Sequence, residues 1–123
     1  MSKASKLKNA IDALEMVDFS SPSESEVALD RVASALLGAS KIKESKFWGK
    51  APSLGEVLEK LSMDVDGVVD ARSVVDEIEA MIKRAYNEEF NQEKAEEMET
   101  LINELSESLL EIHAYVTKKS RAA

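Results

Sequence analysis

The stretch from 92 to 119, QEKAEEMETLINELSESLLEIHAYVTKK, decides the fold. Its apolar residues stand at Ala95, Met98, Ile102, Leu105, Leu109, Ile112 and Val116, at successive spacings of 3, 4, 3, 4, 3 and 4. A strand alternates with period two. Spacings of three and four instead line one side of an α-helix and form the seam along which it meets a neighbour at a shallow angle. The preceding stretch repeats the pattern with Val68, Ala71, Val75, Ile78, Ile82 and Ala85, spaced 3, 4, 3, 4 and 3. The two seams are out of register, because steps of seven from 68 lead to 96 whereas the second seam uses Ala95. The helix must therefore break between Tyr86 and Gln92, with Asn87 or Asn91 as the punctuation, and the two helices are expected to form an antiparallel hairpin.

Upstream, Leu7, Ala10, Ile11, Leu14 and Val17 mark a first helix that ends in Ser20-Ser21-Pro22-Ser23. Ser21 with Glu24 reads as a capping box with proline in the first turn, opening a helix that buries Leu29, Val32, Ala33, Leu36 and Ala39. Ser53 with Glu56 is a second such box, ahead of Leu54, Val57, Leu58 and Leu61. The reading is five helices, at about 3–17, 22–43, 53–65, 67–87 and 92–119, in one domain spanning 1–123. This is an all-α fold, a four- or five-helix bundle with a long C-terminal helix. Two prolines and four glycines are too few for a loop-rich or many-stranded chain. With one Trp, two Tyr and three Phe, the core must be built from aliphatic residues.

No cysteine is present, which excludes disulfides, thiolate metal sites and cysteine nucleophiles. No apolar run approaches the roughly 20 residues a bilayer span needs, and MSKASKLKNAIDALEM lacks the continuous apolar stretch of a signal peptide. A cytoplasmic location is expected.

Charge is unevenly placed. From Glu88 to Glu111 nine glutamates stand against Lys94 alone, a net −8, while the remaining 15 acids and 15 bases cancel. Glutamates near a helix N-terminus are favoured by its dipole, and a solvated outer face accounts for such a run. The functional alternative is an acidic surface that docks on a basic partner, with Glu97, Glu104, Glu107 and Glu111 carrying it. Phosphate repels that face, so direct nucleic-acid binding is not expected. Ten bases gather at Lys3–Lys8, Lys41–Lys50 and Lys118–Arg121, with only Phe47 and Trp48 among them, a poor stacking platform.

Beside the seams lie Val74, Met81, Leu101, Leu110 and Tyr115. A bundle interior needs a stripe wider than one seam, so these residues can contact other helices of the same chain; of them, Leu101, Leu110 and Tyr115 are the candidates for a homodimer or partner-helix interface. Phe47-Trp48 at an expected corner either plugs the end of the bundle or forms a docking spot. Trp48 and Gly49 are adjacent, unlike the Trp-x-Gly turn of the small helical-hairpin proteins of type VII secretion, and five helices exceed that hairpin; the residues assign the chain to no family.

Catalytic and metal-binding patterns are weak. Around Gly67, Asp64, Asp66 and Asp70 sit at the third, fifth and ninth positions of a calcium loop, but the first and twelfth positions are Ser62 and Ser73, so the ligands that hold the ion are missing. A turn with Asp66 capping the fourth helix explains the same residues. His113 is the lone histidine, and Leu110 stands where an E-x-x-H metal pair requires glutamate. No phosphate loop or nucleophile elbow occurs. No enzyme activity, cofactor or metal is expected. The function expected is that of a small helical interaction protein (accessory subunit, adaptor, chaperone or inhibitor) binding a protein partner through helix surfaces. The alternative is an acidic decoy, of the phage- or plasmid-encoded kind, that inhibits a nucleic-acid-binding protein.

Overall fold

The computed structural model describes residues 3–39, 53–61, 66–85 and 91–122. These hold five helices: α1 (Lys3–Glu15), α2 (Pro22–Ala39), α3 (Leu54–Lys60), α4 (Asp66–Ala85) and α5 (Gln92–Ala122). No strand occurs among the described residues. The expected all-α bundle with a long C-terminal helix is what forms.

Local chemistry sets most of the boundaries. α1 stops at Glu15, two residues short of the expected end. There Met16 and Val17 donate backbone N–H to Ala13 and Leu14 at 3.1 and 3.5 Å, a tightening of the last turn. Asp18 then holds the corner by accepting from the backbone N–H and hydroxyl of Ser20, at 3.0 and 2.5 Å. Ser21 caps α2, its Oγ accepting from the Glu24 N–H at 3.4 Å. Ser53 caps α3 in the same way, accepting from the Glu56 N–H at 3.3 Å, and its hydroxyl donates to the Glu56 carboxylate at 3.3 Å. α3 is shorter than expected. Leu61 leaves the helical region at φ −73°, ψ 125° yet stays packed on the core. α4 spans Asp66–Ala85, one residue longer at its start than expected. Of the two asparagines between the seams, Asn91 caps α5: its Oδ1 accepts from the Lys94 N–H and its carbonyl from the Ala95 N–H, both at 3.0 Å. The expected continuation of the second helix to 43 lies outside the described residues.

Four helices close a ring in the order α1, α2, α4, α5, each touching the next, and α3 bridges α2 and α4. The most extensive contact is between α4 and α5, and the start of α4, at Gly67, lies against Ser108 and Glu111 in the second half of α5. The pair is therefore antiparallel. Every residue of the α5 seam is buried, and the α4 seam is buried from Val68 to Ile82. Leu7, Ile11 and Leu14 of α1 and Val32 and Leu36 of α2 complete the interior, all fully buried.

Candidate interaction surfaces

On α5 the outer face is acidic. Glu97, Glu104 and Glu111 follow one another at intervals of seven and align along the helix, with Glu107 beside the last two. All four are exposed, as are Glu93, Glu96 and Glu99. Glu111 differs from its neighbours. A Cβ on Gly67 would lie 3.0 Å from Glu111 Oε2, so this carboxylate rests over the first turn of α4, where a helix dipole favours negative charge.

Leu101 and Leu110 are partly buried and packed on the core, as is Val74, and Met81 is fully inside it. Tyr115 and His113 are half-buried and both hold contacts. The flanking apolar residues thus serve first to widen the stripe that α4 and α5 bury in the bundle. Phe47 and Trp48 lie outside the described residues.

A second acidic group is assembled from three helices. Asp30 of α2, Glu56 of α3 and Asp76 of α4 are all near enough to act on Glu79 of α4. Partial burial of the Glu79 carboxyl pushes its pKa above the usual range, and Asp76, Glu56 and Asp30 push the same way. Asp30 is raised too, first by burial and then by Glu26. Nothing in the sequence announces this cluster: its members are spread over 50 residues and only the α2–α3–α4 corner unites them. Among the described residues no group of three or more His, Asp or Glu side chains is placed to hold a metal ion. Gly67 and Asp70, read as part of a degenerate calcium loop, stand inside α4.

The opposite side of the ring differs in character. Between α1 and α2 runs an open groove made of two hollows, about 540 and 370 Å³, that share Ala13 and Arg31. Met16 and Val27, exposed by 85% and 52%, stand in one end of it. Sequence reasoning missed this surface because Ala10 and Val17 read as ordinary inward positions and Ala13 carries no signal of its own. The visible signal was the run of small residues Ser34, Ala35 and Gly38 on α2. Among the described residues, Ser106 Oγ and Thr117 Oγ1 are buried without a hydrogen-bond partner. No described helix is long and apolar enough to cross a membrane. Comparison with family models, curated proteins and solved structures finds no match.

Proposed function

We propose that this chain is a non-catalytic interaction protein whose acidic α5 face docks on a basic protein surface. One observation carries the reading: the glutamates of α5 are exposed while a separate seam on the same helix supplies the burial. The burial that holds α5 in the bundle comes from the seam, which leaves the exposed charge of Glu97, Glu104 and Glu107 available for recognition. Complementary potentials act mainly by steering encounter, and their effect falls with salt.

The test starts from a partner captured with the chain tagged at its N-terminus, followed by titration at two ionic strengths. Changing Glu97, Glu104 and Glu107 together to Gln removes three charges and keeps side-chain shape. Glu111 is left in place because of its position over α4. Association should slow by tenfold or more at low salt, with little change in dissociation. Equal binding by the variant and the parent at low salt would refute the reading. If the partner is a nucleic-acid-binding protein and duplex DNA competes for the same site, the chain acts as a decoy in the narrower sense.

A further inference from the structure

We propose that the α1–α2 groove is the contact surface of a twofold dimer of this chain, separate from the acidic face of α5. Its two ends are unlike. Toward Lys6 the walls are small: Ala10 on α1, Ala35 and Gly38 on α2. A Cβ added at Gly38 would meet nothing within 4 Å. Toward Glu24 the side chains of Met16 and Val27 project into solvent. Because α1 and α2 are joined by a short turn and run antiparallel, this asymmetry lies along the length of the groove.

A surface whose smaller hollow is bordered by projecting side chains at one end, and whose larger hollow is small-walled at the other, fits a second copy of itself. Rotation by 180° about an axis across the groove lays each Met16–Val27 end over the other copy's Gly38 end, and does so twice. The same rotation brings the Lys6 end of each copy over the Glu24 end of its mate, so the charges also match in two symmetric places. Arg31, shared by both hollows, falls near the axis. It is exposed, so its guanidinium can stay hydrated beside its symmetry mate. The ring order puts α4 and α5 on the far side, and with them the acidic α5 face that would otherwise hold two net-negative copies apart.

The groove runs along α2 from Glu24 to Gly38, about 21 Å at the helical rise. Two helices of that length offer less than the roughly 800 Å² per partner of a standard interface, so the dimer is a weak, concentration-dependent one.

Sedimentation equilibrium of the whole chain from about 10 to 500 μM, in roughly 0.15 M salt, reads this directly. The weight-average mass should climb from 13.5 kDa toward twice that value. Gly38→Leu fills the hollow and improves helix propensity; it should keep or raise Tm and weaken association at least tenfold. Lys6→Glu and Glu24→Lys should each weaken self-association, and an equimolar mixture of the two should associate better than either alone, since only the mixed pair restores both contacts. A parent chain that stays monomeric through the range overturns the proposal. So does a dimer that Gly38→Leu and the mixed charge variants leave unchanged, which would place the interface elsewhere, for example at exposed Val69 of α4.

Discussion

Gly67 is the residue whose role changes most between sequence and structure. In the sequence it looks like the pivot of a degenerate calcium loop or a turn. In the fold it is buried in the first turn of α4, where an added Cβ would lie 2.9 Å from the Ser108 carbonyl oxygen and 3.2 Å from Glu111 Cβ. A backbone oxygen cannot step aside as a flexible side chain can, so any larger residue must push α4 away from α5. Gly67→Ala is therefore expected to destabilise the chain by about 1–3 kcal/mol, the usual cost of overpacking. Better helix propensity at the same position works against that loss by at most about 1 kcal/mol. Chemical denaturation monitored by circular dichroism measures the difference. A variant as stable as the parent would mean that the two helices can separate there without cost. Proximity of this kind is invisible in a linear sequence, because Gly67 and Ser108 meet only after the hairpin closes.

At the scale of elements, the seams were legible and the corners were less so. Heptad spacing identified α4 and α5 because each apolar residue had to face the same neighbour, and all of those in α5 are buried. The capping residues Ser21 and Ser53 were legible for a comparable reason, since each satisfies orphan N–H groups from within a few residues, whereas Asn91 stood in the sequence only as one of two candidate breaks. The ends of α1 and α3 were not, because apolar Val17 and Leu61 pack on the core from non-helical backbone. Nor was the meeting of α2, α3 and α4 around Glu79. That carboxyl has a pKa raised in the fold, so the fold takes up its proton before the unfolded chain does. Its ionised form is a penalty at neutral pH, relieved as pH falls through the raised pKa toward the unfolded value near 4.5. Glu79→Gln should stabilise the chain at pH 7 by about 0.5 kcal/mol, a size held down by solvent screening. It should also flatten the gain in stability between pH 7 and the unfolded pKa. Asp18 works in the opposite sense: its hydrogen bonds from Ser20 lower its pKa, so what it contributes is lost only when pH falls below the unfolded value near 3.8. Thermal melts across that range test both limbs, and a Glu79→Gln variant with an unchanged pH profile would remove this corner as a source of strain.

Over the whole molecule, charge and burial are partitioned. The acidic segment 88–111 accounts for the net −8, and its described part forms the N-terminal two-thirds of α5, while α1 and α2 carry the small-walled groove on the far side. A one-sided field of this strength repels itself. On α5 the pairs Glu93–Glu97, Glu104–Glu107 and Glu107–Glu111 sit three or four residues apart, where like charges cost about 0.2–0.5 kcal/mol each. Glu93 and Glu96 lie close to the N-terminus, where the helix dipole offsets such repulsion, and Glu111 rests over the start of α4. Glu104 and Glu107 have neither compensation, and Glu97 has only Lys94 three residues before it. Replacing these three by Gln relieves all three pairs and gives up the Lys94–Glu97 attraction, so the variant should be more stable than the parent by about 0.4–1 kcal/mol at low ionic strength. Screening shortens the reach of the repulsion to about 3 Å at 1 M salt, so the advantage should shrink steadily as salt is added. Denaturant titrations of both proteins at low and high salt measure this without any partner. A stabilised variant that loses partner binding would mean that the exposed charge costs the fold stability and serves recognition. A variant that is less stable at low salt would show the glutamates to be structural, and the acidic face would then lose its standing as a surface free for recognition.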